Sequence, residues 1–228
     1  MATVKALIFF VLAVAEASLD LHKLAKHPNI LPYQDPSRFI WNKTDAYLLR
    51  VSAPVGTKEN ITQTQTPCVR SRYLANTTTE VERTLDVYNK RDFSGYRSIN
   101  ISLTVRKETQ TFLDVDVKGK SISIMSYADK HVALTSNYEF LVLFSDANCL
   151  ILAEALKAER VDRNWLRCSI WLTEHRITRP PKCCLFIFEL LCAYIDESVD
   201  VFDKSCLPGP AKSPKPGSHA TTSKQSQN

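Results

Sequence analysis

Seven cysteines, five of them crowded between Cys168 and Cys206, limit what this chain can fold into more than any other feature. The full set is Cys68, Cys149, Cys168, Cys183, Cys184, Cys192 and Cys206. Such a cluster serves metal binding, redox catalysis or a disulfide framework, and the compartment decides which. Lys5, the apolar run Ala6 to Val14, and Ala15-Glu16-Ala17 ahead of Ser18 have the order of a secretory signal peptide. Residues 1–17 are therefore expected to be removed. Four N-x-S/T sequons follow, at Asn42, Asn60, Asn76 and Asn100, as expected of a secreted glycoprotein. An extracellular setting is oxidising, so the cysteines are expected to pair, with one left over. No C-x-x-C motif exists, and His22, His27, His131, His175 and His219 are scattered, so neither a metal site nor a cofactor is expected.

The formal net charge is +5, but the Pro/Ser/Lys-rich end carries Lys212, Lys215 and Lys224 without an acid. No basic run with interleaved aromatics occurs, so a nucleic-acid partner is not expected. Nor is a membrane span: the leader's apolar run falls well short of the ~20 residues a helix needs. The composition of residues 207–228 is that of a disordered tail. Residues 18–206 then form one domain.

Within that domain, alternating runs mark half-buried strands. Tyr47, Leu49 and Val51 alternate with Leu48 and Arg50, and Ile99, Ile101, Leu103 and Val105 with Asn100, Ser102, Thr104 and Arg106. A glycan on Asn100 needs solvent, so the four aliphatics are expected to point inward. Further runs at 68–74, 81–88, 112–117, 121–127, 138–144, 149–154 and 166–173 bring the count to about nine, a pattern of antiparallel sandwiches and barrels. Pro180-Pro181 then opens a helix whose Cys184, Phe188, Leu191 and Ile195 form one apolar stripe. That stripe must pack on something broad, and the outside of a barrel offers such a surface.

Several ordered blocks carry a resemblance: Tyr33-Gln34-Asp35, Tyr47-Leu48-Leu49-Arg50, Thr66-Pro67-Cys68-Val69, Phe144-Ser145-Asp146-Ala147-Asn148-Cys149, Cys168-Ser169-Ile170-Trp171-Leu172-Thr173, Pro181-Lys182-Cys183-Cys184, and Cys206. Together they resemble the tick salivary lipocalins of the histamine-binding-protein type. The tryptophan usual shortly after Gln-Asp is missing; Ser37 stands there, with Trp41 nearby. The resemblance implies an eight-stranded antiparallel lipocalin-type barrel with the C-terminal helix packed outside. It implies bridges Cys68–Cys206 and Cys149–Cys184. A third, Cys168–Cys192, is assigned beside them, which leaves Cys183 as the free thiol.

Lipocalin function lies in the barrel interior. Amine-binding relatives need carboxylates there, because a buried ammonium without a counter-charge is prohibitively costly. By the resemblance, three such acids would fall at 140, 150 and 169, where this chain has Phe140, Leu150 and Ser169. Asp114, Asp116, Glu139 and Asp146 remain, with barrel surface or turns as their favoured place. The expected calyx residues are Tyr47, Leu49, Leu103, Phe140, Leu150, Ser169 and Trp171. Phe140, Val142 and Phe144 share one strand face, either calyx wall or bedding for the helix. The apolar replacements suit an eicosanoid-type lipid, whose carboxylate would want Arg70, Arg72, Arg83 or Arg106 at the cavity mouth. The reading is a secreted, monomeric scavenger of a small host inflammatory mediator. The alternatives are histamine or serotonin binding, and a protein-binding inhibitor of complement or coagulation. No nucleophile elbow, phosphate loop or metal motif supports an enzyme.

Overall fold

A computed structural model describes residues 31–53, 66–90, 94–118, 137–154, 167–192 and 197–208. Among the described residues ten strands are formed: β1 (Ala46–Ala53), β2 (Cys68–Ser71), β3 (Tyr73–Asn76), β4 (Glu80–Tyr88), β5 (Arg97–Lys107), β6 (Thr111–Lys118), β7 (Asn137–Ser145), β8 (Cys149–Glu154), β9 (Cys168–Thr173) and β10 (Glu197–Asp200). Three helices accompany them: α1 (Ser37–Ile40), α2 (Glu174–Ile177) and α3 (Lys182–Cys192). The leader, the Asn60 sequon, the run at 121–127, Ile195 and the tail beyond Pro208 lie outside the described residues.

Every strand pairing is antiparallel, in the order β1-β2-β4-β5-β6-β7-β8-β9, and β9 returns to β1. Eight strands therefore close a barrel, and closure pairs both edges of each of them. The run at 68–74 breaks at Arg72, so β3 carries on from β2 as a separate strand against β4. β10 is a strand the alternation did not suggest. It pairs with β1 over Arg50 to Ala53, while β2 pairs with β1 over Ala46 and Tyr47. Arg50 is partnered by both Ile170 of β9 and Asp200 of β10, so β10 occupies the edge of β1 that β2 has left.

Alternation divides the apolar residues into two cores. The inner one holds Val81, Ile99, Ile101, Leu103, Leu113, Val142, Leu150 and Leu152, closed below by Phe39 and Ile40 of α1. The outer one joins Tyr47, Leu49, Leu143, Phe144, Ile151, Ile170 and Leu172 to Cys184, Phe188, Leu191 and Cys192 of α3. Helix α3 follows Pro180-Pro181 as expected, and its buried stripe is why this side of the barrel is apolar on its outer face. Three disulfides join Cys68 to Cys206, Cys149 to Cys184 and Cys168 to Cys192, the pairs anticipated above. The last two tie α3 to β8 and β9; the first ties the chain end to β2. Cys183 is unpaired and exposed.

Candidate functional site: the barrel cavity

The inner core does not fill the barrel. A cavity of about 470 Å³ remains, within the roughly 300–1,000 Å³ typical of small-ligand sites. Its wall is built from successive inward positions: Ile99, Ile101 and Leu103 on β5, Leu113, Val115 and Val117 on β6, Leu150 and Leu152 on β8. Of the expected calyx residues, Leu103, Phe140, Leu150, Ser169 and Trp171 all line it. Trp171 lies between Leu48 and Leu150 across the ladder, and its Nε1 donates to Ser169 Oγ at 3.2 Å.

Tyr47 and Leu49 do not line the cavity, which corrects the expectation for β1. Both face outward into the α3 core, and Leu48 takes the inward place. Tyr47 meets Phe202 edge-on at 5.7 Å, and the Leu49 carbonyl accepts from Val201 N and Phe202 N. A bulge between Leu48 and Arg50 then sets Leu49 and Arg50 on one face. The outward face of β1 is itself buried, so hydrophobicity could not tell the two faces apart. Another bulge, between Val142 and Phe144, splits β7: Phe140 and Val142 face the interior, Phe144 faces α3.

The acids of the outer wall and turns fall where expected. Asp114 and Glu139 pair with Arg106, and Asp146 Oδ1 accepts from Asn148 N and Cys149 N in a turn. Arg70 and Arg72 are also committed outside, to Asp86, whose side chain is 0% exposed. Burial pushes the Asp86 carboxyl up, but hydrogen bonds from Arg72, Ser98 and Thr84 outweigh it and hold it below the usual carboxylate value.

Two charged residues do line the cavity, and alternation could have found both. Arg83 stands between Val81 and Leu85 on β4, and Glu154 continues Leu150 and Leu152 on β8. Arg83 is one of the four arginines named for the cavity mouth, whereas Glu154 was not singled out, buried acids being rare. Arg83 is 3% exposed. Its Nε donates to Ser71 Oγ at 3.0 Å, Nη1 to the carbonyls of Ile40 and Asn42, and Nη2 to those of Thr44 and Ser71. All five guanidinium protons thus meet neutral oxygens. Burial lowers its pKa to about 10, only partly offset by Asp45 and Tyr73, so it stays charged at neutral pH.

The two charges lie at opposite ends. Arg83 clamps the segment from Ile40 to Thr44, which crosses under the barrel at the end closed by α1. The turns at 77–79, 108–110 and 146–148 belong to that same end, since alternate connections of an up-and-down barrel share an end. Glu154 is the last residue of β8, at the other end, and is exposed. The acids lining the interior therefore number one among the described residues, and none occupies position 140, 150 or 169. No group of His, Cys, Asp and Glu among them is arranged to hold a metal.

The sequence model for "Tick histamine binding protein" matches residues 24–208. Among solved structures, the chain is similar to japanin from Rhipicephalus appendiculatus bound to cholesterol: 23% identity over 72% of this chain and 96% of that one, TM-score 0.46. It is similar to AM182 in a serotonin complex at 14% identity, over 76% of this chain and 92% of that one, TM-score 0.47. Lobster apocrustacyanin A1 matches at 15% identity over 81% and 86%, TM-score 0.39. No curated protein matches the chain.

Proposed function

This chain belongs to the tick histamine-binding protein family, and from that premise we propose that it is secreted and sequesters a small apolar mediator, of the eicosanoid class, inside its barrel. One observation carries the reading: Phe140, Leu150 and Ser169 all line the cavity, so the places where the resemblance puts amine-binding acids are apolar or neutral wall. A cationic amine placed at Leu150 or Ser169 would lose its hydration with no acid as cross-strand neighbour, which costs several kcal/mol even after relaxation; only Phe140 has one, Glu154. An apolar chain gains roughly 25 cal/mol for each Å² it buries against the same wall. The buried Arg83 charge adds a repulsion that an amine would feel and a lipid acid would not.

A second reading, amine binding, is supported by Glu154, an exposed acid among the residues lining the cavity, at the end away from α1. Retention from a mixture separates the two. The purified chain is incubated with equimolar histamine, serotonin, a leukotriene and a thromboxane analogue, and native mass spectrometry weighs the complex that survives. A retained eicosanoid mass is expected. Retained histamine or serotonin supports the amine reading instead, and a bare protein mass removes both.

A further inference from the structure

The cavity is electrically polarised along its length, and the polarity bears on how a ligand lies in it. Among the described residues, Arg83 and Glu154 are the only charged ones lining it. No Asp or Glu lies within 4.0 Å of the Arg83 guanidinium among the described residues, where Arg70, Arg72 and Arg106 each have such a partner. The five protein oxygens around Arg83 satisfy its protons with no carboxylate in contact, and Asp45, farther off, offsets its charge only in part. In an enclosed apolar space that charge is poorly screened.

Beside it, Ser71 offers the means of direct contact. Its Oγ accepts the Arg83 Nε–H at 3.0 Å, and the residue lines the cavity. A hydroxyl that accepts from a guanidinium still has its own proton to donate. At the opposite end, the Glu154 carboxylate would repel a second negative group.

We infer that the ligand is an acid that enters head first, with its carboxylate at the closed end beside Ser71 and Arg83 and its apolar chain running toward Glu154. This rests on the reading of the barrel as a lipid-mediator site and reverses the expectation of an arginine at the mouth. The apolar chain lies along Ile99, Ile101, Leu113 and Leu152. The head gains the Ser71 hydrogen bond and the Arg83 field. A neutral head keeps only the hydrogen bond, and an ammonium head meets like charge.

The test uses the full chain without substitution and three ligands sharing one long alkyl tail: a carboxylic acid, the primary alcohol and the primary amine. Displacement of a fluorescent fatty-acid probe is followed at neutral pH. The acid is expected to bind about tenfold or more tightly than the alcohol, equivalent to about 1.4 kcal/mol, with the amine weakest. In Ser71→Ala, which leaves Arg83 its four carbonyl partners, the acid's advantage over the alcohol falls while tail binding persists. Equal affinities for all three heads, or an amine that binds tightest, overturn the inference and leave the apolar cavity reading standing. An acid preference that Ser71→Ala does not alter overturns the head-first placement. Failure of all three tails to bind removes the lipid-site reading itself, and this inference with it.

Discussion

Replacing Leu150 by aspartate should turn an apolar cavity into an amine site at a measurable cost in stability. Leu150 is 3% exposed, lines the cavity, and pairs with Trp171 on one side and Ser145 on the other. Removing the leucine forfeits roughly 1.5–3 kcal/mol of burial. The new carboxyl would draw water into the cavity of about 470 Å³, since a polar group is what lets such a space hold it. Hydration keeps the added penalty small, so the total should be roughly 2–4 kcal/mol, or about 5–15 °C in Tm for a domain of this size. The return appears on adding histamine. An ammonium about 4 Å from the carboxylate gains about 4 kcal/mol at an effective dielectric of 20. Desolvation of both groups takes back part of it. A net gain of about 1.5–3 kcal/mol is a rise in affinity of roughly 10- to 100-fold. Calorimetry and thermal shift with histamine, on wild type and Leu150→Asp in parallel, read both effects. Because burial raises the carboxyl's pKa in the free variant, histamine binding should weaken as pH falls and the aspartate takes up a proton. Wild type binding histamine as tightly as the variant, or a folded variant gaining nothing, would refute the reasoning.

Other consequences concern the frame around the cavity. Asp86→Asn leaves Arg70 and Arg72 against a neutral amide. With Asp86 fully buried and the arginines 16% and 39% exposed, the loss should be about 2–3 kcal/mol, below the 3–5 of a wholly buried pair, read as a lower urea midpoint. Removing the Cys149–Cys184 bridge, whose sequence separation is 35, should cost about 4 kcal/mol by chain entropy. The Cys68–Cys206 bridge, with a separation of 138, should cost about 5; urea denaturation of the paired Cys→Ala variants gives the order. Burial pushes the Asp35 carboxyl up, but hydrogen bonds from Lys107 and Ser37 prevail and lower it from 3.8 to about 2. Its stabilisation is thus complete above about pH 4 and lost as pH falls toward 2. Asp35→Asn should flatten the stability profile in that window and little elsewhere.

Legibility followed whether one face of an element was dry and the other wet. On β5, the aliphatics Ile99, Ile101 and Leu103 alternate with exposed Asn100, buried but polar Ser102 and half-buried Thr104, and the inward set was evident. On β1, Tyr47, Leu48 and Leu49 are all apolar because α3 and the returning chain cover the outside, so periodicity had no polar face to anchor it. The bulge beyond Leu48 then moved Leu49 and Arg50 to the same side, which no pattern of types announces. Charge misled in the opposite direction. Val81-x-Arg83-x-Leu85 and Leu150-x-Leu152-x-Glu154 keep strict period two, yet Arg83 was named only as one of four arginines for the mouth and Glu154 was not singled out. Five oxygens around Arg83, four of them backbone carbonyls from the segment under the barrel and from β2, make that burial tolerable. They come together only when the barrel closes. β10, reading Glu197-Ser198-Val199-Asp200, has too little alternation to stand out and is held by an edge of β1 that only the fold exposes.

The central claim is that this barrel takes an apolar mediator in place of an amine. Titration calorimetry of the unmodified chain with a leukotriene and with histamine, under one buffer and several temperatures, tests it most directly. The account predicts one leukotriene per chain with a negative heat-capacity change, the marker of buried apolar surface, and no heat from histamine. Stoichiometric histamine binding, with no heat from the leukotriene at any temperature, would contradict it.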